Sequence, residues 1–152
     1  MGELENEVMR EEMRNIDWEK IKKQKFADEE MEGILEEADR IGEWFRDRWD
    51  NKEMKISETK FRKFFDDVKG IQRKLDAGIS FVELKPQILL MKSKAAYETA
   101  RGIPEKFRDF FGGCIDNVLR GDEKTYKNFV TFFEAVYAYF YYHSKSKGGR
   151  GQ

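Results

Sequence analysis

The sequence predicts an all-α fold, a helical bundle of about five main helices preceded by a soft amino-terminal helical arm. Apolar residues recur at the helical period along most of the chain, and no segment alternates convincingly with period two. The 152 residues include only 2 prolines. Charged residues make up 39% of the sequence and aromatic residues 14%, which suits helices with charged outer faces around an aromatic core.

The length predicts one domain, because a chain of this size buries about 70% of its unfolded surface. We place this domain at 1–144 and divide it into an acidic portion (1–56) and a core (57–144). A disordered, weakly basic tail (145–152) should follow it. Residues 1–56 hold 11 Lys and Arg against 18 Asp and Glu, whereas residues 57–152 hold 18 against 12. This asymmetry suggests either an anionic partner for the second part or packing of the acidic arm on the basic body.

The first part contains one strong helical pattern and two weak ones. Residues 3–15 are only weakly apolar, so we expect this helix to fray. Asp17 is the expected N-cap of a short second helix. A longer helix should begin at Asp28 and close near Asn51-Lys52. Its apolar stripe consists of Met31, Ile34, Leu35, Ala38, Ile41, Phe45 and Trp49.

Ser57 is the expected N-cap of the next helix. Its core-facing arc matches the helical period closely and consists of Phe61, Phe64, Phe65, Val68, Ile71 and Leu75. Away from this arc, Arg62, Lys69 and Arg73 follow one another at steps of seven and four residues. Such steps place the three cations on one side of the helix.

The central helix is predicted at 84–101, with Pro86 at its first position and Gly102 and Pro104 after its end. Its apolar residues do not keep to one side. One face consists of Leu89, Leu90, Ala96, Tyr97 and Ala100, and the opposite face of Ile88, Met91 and Ala95. A helix that is apolar nearly all round is typical of an interior helix, which places Tyr97 in the core. Lys92, Lys94 and Arg101 should bring positive charge out at its edge.

Two further helices complete the prediction. The first starts at Pro104, and Gly112-Gly113 in its middle predicts a bend or break. Arg120-Gly121-Asp122 supplies a terminal glycine and a new N-cap. The last helix is predicted at 123–143, with an apolar face of Tyr126, Phe129, Phe133, Val136, Tyr137 and Phe140.

The residue types for common catalytic sites are scarce. A single histidine, His143, excludes HExxH and multi-histidine metal sites, and we expect it at the surface in the last helical turn. The single cysteine, Cys114, excludes an internal disulfide and is expected to be a buried small apolar residue. No cofactor is predicted. Without a secretion signal or a membrane-spanning stretch, we expect a cytoplasmic protein with no membrane contact.

The clustered cations suggest a polyanion as partner. Lys and Arg placed against successive phosphates give nucleic-acid affinity without reading the base sequence. If 57–76 and 84–101 form antiparallel neighbouring helices, their two cationic rows could border one groove. Alternatively, these cations form ordinary solvated helix faces, some of them paired with Asp66, Glu98 or the acidic arm.

Three sequence blocks stand out: TKFRKFFD (59–66), LMKSKAAY (90–97) with Arg101, and FxxFFEAVYAY (129–139). Together they resemble the small subunit of type III-A CRISPR (Csm) effector complexes. The blocks occur in the family's order over roughly 57–140, while 1–56 shows no such likeness. Lys60 stands where the family would have Gln, and Ala100 precedes Arg101 where Gly is usual.

The resemblance implies a non-catalytic subunit that stacks as a filament beside the other subunits of the complex and contacts guide RNA and single-stranded target RNA. Lys69 and Arg73 are added from helix geometry, and the remaining RNA-binding candidates come from the family blocks. The full set is Arg62, Lys63, Lys69, Arg73, Lys92, Lys94 and Arg101.

Two alternatives remain open at this point. The chain could be a protein–protein adaptor or homodimer without nucleic acid, in which a second strip of the last helix, with Phe132 and Tyr139, packs on a partner. It could also be the equivalent small subunit of the type III-B complex, against which only the sequence blocks argue.

Overall fold

Six α-helices make up most of residues 16–46 and 55–150, the part of the chain that the computed structural model describes, with side chains given as far as residue 145. In chain order they are α1 (Trp18–Lys22), α2 (Met31–Arg46), α3 (Glu58–Asp76), α4 (Phe81–Ala100), α5 (Glu105–Leu119) and α6 (Glu123–Arg150). A 3-10 turn, Asp28–Glu30, precedes α2, and these residues contain no strand. The predicted all-α bundle is confirmed. The predicted helix 3–15 and the predicted end of the long helix near Asn51 lie outside the described residues.

Polar caps start the helices where the sequence predicts them. The Ser57 hydroxyl accepts the backbone N–H of Lys60, and the Asp17 carboxylate accepts that of Lys20. Asp122 accepts the N–H of Thr125 at the start of α6. Each cap satisfies a backbone donor that has no partner within the helix, and typically contributes about 1 kcal/mol.

The centre of the bundle is built from aromatic rings. Phe107 of α5 is fully buried, and its ring centroid lies 5.3 Å from that of Phe45 and 5.2 Å from that of Phe61. Phe64 lies 5.1 Å from the same ring. Phe133 of α6 joins the cluster at 5.5 Å from Phe61. These contacts hold α2, α3, α5 and α6 around one core, and each ring pair adds about 0.5–1.5 kcal/mol beyond its buried area.

The most extensive helix pair of the described part is α2 with α6, and Gly42 makes its close approach possible. A Cβ atom at Gly42 would lie 2.7 Å from the Phe140 nitrogen and 2.8 Å from the Val136 oxygen. Both are backbone atoms of α6, so the two helices touch directly at this point. Close packing of this kind leaves no room for an added methyl group.

The central helix differs from its prediction at its start. Helix α4 begins at Phe81, where the Ser80 hydroxyl caps it by accepting the Glu83 N–H. Pro86 therefore lies inside the helix and not at its first position, where it removes one intrahelical hydrogen bond. The strong N-cap at Ser80 outweighs the start signal that Pro86 gave in the sequence.

The prediction of an interior helix is also wrong for α4. Only Phe81, Leu84, Ile88, Met91 and Ala95 are buried. The opposite apolar face lies in solvent, with side-chain exposures of 52% at Leu89, 56% at Leu90 and 59% at Tyr97. Tyr97 is therefore not a core residue.

Of the bend or break predicted at the two central glycines of α5, the break is wrong, because the helix is continuous from Glu105 to Leu119. A Cβ atom at Gly113 would lie 3.1 Å from Cγ of Lys22, so the glycine lets α1 approach α5 closely. Cys114 beside it is fully buried, as predicted, and burial raises the pKa of its thiol. A buried thiol with a raised pKa is a poor nucleophile.

The last helix extends beyond its predicted end and includes residues 145–150, for which we predicted disorder. His143 consequently lies within the helix, with Nε2 2.6 Å from Asp39 and Nδ1 3.6 Å from Glu43 of α2. Phe132, predicted on a strip that faces a partner, is fully buried against Phe26 and Phe110. Phe132 is therefore not available to a partner, whereas Tyr139 on the same predicted strip is 39% exposed.

We expect Gly42→Ala to lower the free energy of unfolding by about 2–3 kcal/mol, because the new methyl group must push α2 away from the α6 backbone. Chemical denaturation measures this. Gly33→Ala is a matched control on the same helix, since a Cβ atom there meets nothing within 4 Å. It should raise the stability by about 0.5–1 kcal/mol. Equal effects of the two substitutions would contradict the direct contact of α2 with α6.

A candidate nucleic-acid interface between two helices

A cationic groove runs between α3 and α4. It consists of two adjoining cavities of about 450 and 350 Å³ that share Asp66, Asp67 and Lys94 in their walls. We call it the α3–α4 groove, and its charged residues are Lys60, Lys63, Asp66, Asp67, Arg73, Lys74, Lys94 and Glu98. Five cations thus face three carboxylates, which leaves an excess of positive charge.

The helical period explains why these side chains meet. Burial of Phe61, Phe64 and Val68 fixes the rotation of α3 about its axis. Lys63 and Lys74 then fall on the flank that faces α4. On α4 the buried residues lie on one side, and Lys94 projects from the flank that faces α3.

Two of the groove cations hold the helices together. The Lys60 ammonium donates to the backbone oxygen of Arg101 at 3.0 Å and lies 3.3 Å from Glu98. It therefore caps the carboxyl end of α4, where the helix dipole favours a cation. Lys74 donates to the side-chain oxygen of Gln87 at 2.7 Å. These contacts join α3 to both halves of α4.

Lys94 is paired but accessible. Its ammonium lies 3.2 Å from Asp67, and its side chain is 55% exposed. Exposed pairs of this kind contribute about 0–1 kcal/mol, because water screens them and the long side chains lose freedom. A phosphate could therefore replace the Asp67 carboxylate at little cost.

Lys63 and Arg73 have no ion pair or side-chain hydrogen bond within residues 16–46 and 55–145, and both are exposed. They lie ten residues apart on α3, which corresponds to about 15 Å along the helix axis. Within the described residues, the groove thus holds two cations without a side-chain partner and a third, Lys94, in a weak ion pair.

Four of the seven predicted residues do not line the groove: Arg62, Lys69, Lys92 and Arg101. Of the two cationic rows that were expected to border one groove, only Arg73 and Lys94 do so, and the expectation is wrong for the rest. Lys69 lies 3.7 Å from Glu134 of α6, on the far edge of α3. Arg62 is on the same edge, beside the Tyr137 hydroxyl of α6.

Burial raises the pKa of the Tyr137 hydroxyl, and the charge of Arg62 opposes this shift. Lys92 projects from the edge of α4 opposite the groove, and its ammonium lies 2.7 Å from the Asp116 carboxylate of α5.

Arg101 lies at the end of α4 and turns back onto the same helix. Its guanidinium donates to the Tyr97 hydroxyl at 3.0 Å and lies 5.3 Å from the centre of the Tyr97 ring. Both side chains are exposed. Arg101 is therefore next to the groove, whose wall includes Tyr97, and not inside it.

Lys60 and Lys74 are the groove residues that the list of seven candidates omits. Their signal in the sequence is weak, since they form a second cationic flank of α3 that only the packing of α4 distinguishes from solvent-facing positions. Within the described residues no cluster of His, Cys, Asp and Glu could hold a metal ion, and no helix is long and apolar enough to cross a membrane.

A sequence model of the family described as Csm2 Type III-A matches residues 28–146, more than three quarters of the chain. The match begins well before the first of the three blocks at residue 59, so it also includes α2. Comparison with curated proteins and with solved structures gives no match.

The Lys94–Asp67 pair should contribute little to stability, which a double-mutant cycle with Lys94→Met and Asp67→Asn measures. We expect a coupling free energy below about 1 kcal/mol, because both side chains are partly exposed. A coupling of about 2 kcal/mol or more would show that Lys94 is committed to Asp67 and not available to a ligand. The buried hydrogen bond from the Tyr126 hydroxyl to the Val68 oxygen, 2.8 Å long, provides a comparison. Tyr126→Phe should cost about 1 kcal/mol.

Proposed function

The chain belongs to the Csm2 family, the small subunits of type III-A CRISPR complexes, and from this membership we propose that it holds RNA by its phosphate backbone in the α3–α4 groove. The RNA partners in this proposal are the guide and the single-stranded target. The subunit itself is non-catalytic, and it associates with other copies and other subunits along the RNA.

The observation that carries the proposal is the convergence of Lys63, Arg73 and Lys94 on one groove with excess positive charge. A single RNA strand presents one negative charge per nucleotide, so cations spread over about 15 Å can meet successive phosphates. Two of the three have no carboxylate partner in the described part of the chain, so RNA binding there displaces no internal ion pair.

The groove chemistry supports binding without sequence preference. Lysine and arginine side chains contact phosphates at any sequence, whereas base reading needs side chains fixed against base edges. The one amide in the groove, Gln87, is already bound to Lys74. Arg101 lies where a strand leaving the groove would pass the end of α4.

Of the other candidates, Arg62 and Lys69 lie on the outer edge of α3, on the same helix as Arg73. We assign them to phosphates of a strand that continues across α3. Lys92 faces α5 and is held by Asp116, so it has no place in this path.

A non-catalytic role agrees with the positions of the two residues best suited to chemistry. Cys114 is buried, and His143 contacts Asp39 and Glu43 of α2. Neither residue is part of the groove wall.

We expect the triple substitution Lys63→Glu, Arg73→Glu and Lys94→Glu to weaken binding of a fluorescent single-stranded RNA by at least about tenfold in fluorescence anisotropy. The proposed path has six cations, namely Lys63, Arg73 and Lys94 in the groove with Arg62, Lys69 and Arg101 beside it. The wild-type plot of log affinity against log salt should therefore have a slope of about −4, and the triple variant should lose about 2 of this. Circular dichroism should stay helical, because all three side chains are exposed.

The matched control replaces three exposed lysines in and beside α1 by glutamate: Lys20, Lys23 and Lys25. It changes the net charge equally, and at physiological salt a distant charge is largely screened. Its RNA affinity should stay close to that of the wild type. Equal losses in both variants would mean that net charge alone drives binding, and would exclude the groove as the site.

A further inference from the structure

Two tyrosines lie next to each other on the outward face of α6, near its carboxyl end. Tyr141 is 42% exposed and Tyr142 is 61% exposed, whereas Phe140 beside them is buried in the core. The two tyrosines point about 100° apart around the helix axis, because they are consecutive residues. Together with the exposed Ala138 and Lys145 they form a surface that we call the α6 tyrosine patch.

Ala138 leaves the surface between the two tyrosines open. It precedes them by three and four residues, so it lies on the same face of α6. Long side chains of a helix lean toward its amino terminus, so the two tyrosines lie over the turn that contains Ala138. Because the side chain at this position is only a methyl group, a flat group can lie against a tyrosine ring there.

The patch also contains a cation. Lys145 follows Tyr141 by one helical turn, and its ammonium nitrogen lies 5.0 Å from the centre of the Tyr141 ring. An exposed cation–π contact of this kind is weak, because water competes for the ammonium. Both the Tyr141 ring and the Lys145 ammonium are therefore available to a ligand that offers a flat ring next to a negative charge.

The charge of this end of the chain favours an anionic ligand. Residues 135–152 include Lys145, Lys147 and Arg150 and contain neither Asp nor Glu. The preceding carboxylate of α6, Glu134, lies 3.7 Å from the ammonium of Lys69. Aromatic rings combined with cations are typical of surfaces that bind single-stranded nucleic acid.

The patch lies where the proposed RNA path leaves α3. The outer edge of α3 borders α6, since Arg62 lies beside the Tyr137 hydroxyl. One face of the Tyr137 ring is occupied by Phe65, at 4.8 Å between ring centroids. Tyr141 follows Tyr137 by one turn, about 6 Å along the axis. A strand that crosses α3 at Arg62 therefore arrives at the exposed ring of Tyr141.

We infer that Tyr141 and Tyr142 stack on bases of single-stranded RNA and that Lys145 binds an adjoining phosphate. This inference rests on the proposed RNA path across α3, and it adds a contact with bases to the phosphate contacts of the α3–α4 groove. Every base has a flat π face, so stacking tolerates any sequence. The patch thus strengthens binding without giving the subunit a sequence preference.

The double variant Tyr141→Ala and Tyr142→Ala should weaken binding of a fluorescent single-stranded RNA of mixed sequence by at least about tenfold in fluorescence anisotropy. The helical circular dichroism signal should stay unchanged, because both side chains are exposed. The double variant Tyr141→Phe and Tyr142→Phe keeps the ring faces, so its affinity should stay within about twofold of the wild type.

Tyr139→Ala is the matched control for these substitutions. Tyr139 is 39% exposed on the same helix, but it lies on the edge toward α2, where its Cβ atom is 2.9 Å from the position of a Cβ atom at Gly42. The RNA affinity of this variant should stay within about twofold of that of the wild type.

An abasic RNA of the same length separates stacking from phosphate binding, because it keeps the backbone charge and lacks the bases. The two alanine substitutions should change the affinity for abasic RNA by less than about twofold. The groove variant with Lys63→Glu, Arg73→Glu and Lys94→Glu should lose affinity for both RNAs, because it removes phosphate contacts. A groove variant that binds both RNAs normally would exclude the groove and leave the patch as a separate site.

Wild-type affinity of the double-alanine variant for the mixed-sequence RNA would overturn the inference, and is the result expected if the patch binds a protein instead. Equal losses for mixed-sequence and abasic RNA would also overturn it, because the tyrosines would then not act on bases. A loss in the double-phenylalanine variant as large as in the double-alanine variant would assign the contact to the hydroxyl groups and exclude stacking.

Discussion

The rotation of α3 about its own axis is the constraint on which the candidate site depends. Phe61, Phe64 and Val68 are buried against the aromatic core, and Tyr126 of α6 donates a hydrogen bond to the Val68 oxygen. Turning α3 by one residue would expose these side chains and move Lys63 away from α4. The position of the groove cations is therefore decided inside the bundle and not at its surface.

The sequence predicted α3 well and α4 poorly, for a physical reason. On α3 a single apolar arc lies opposite a charged face, so only one orientation can bury the arc. On α4 there are two apolar faces, and the periodic pattern does not distinguish the face that packs within the chain from the one left outside. Ile88 and Met91 pack on the bundle, whereas Leu89 and Leu90 do not. Which face of α4 is buried depends on how α3 and α5 pack against it, so the sequence of α4 alone does not determine it.

The partners of the cations were not predictable in the same way. Lys92 and Lys94 are two residues apart, a spacing that places them on opposite sides of a helix, so they could not belong to one cationic row. They bind carboxylates of different helices, Asp116 of α5 and Asp67 of α3. The long-range pairing follows from the order in which helices pack, which local spacing does not give. The three sequence blocks carried more information, since the resemblance they suggest agrees with the family match over 28–146.

A groove with partly balanced charge can remain stable without RNA and still bind it. Asp67 reduces repulsion among the groove cations when no phosphate is present, and its weak pair with Lys94 can be exchanged. The most direct test is lysine acetylation with and without single-stranded RNA, followed by mass spectrometry of each site. RNA bound in the α3–α4 groove should strongly protect Lys63 and Lys94 from acetylation and leave the labelling of Lys20 and Lys25 unchanged. Protection of other lysines with full labelling of Lys63 and Lys94 would contradict it.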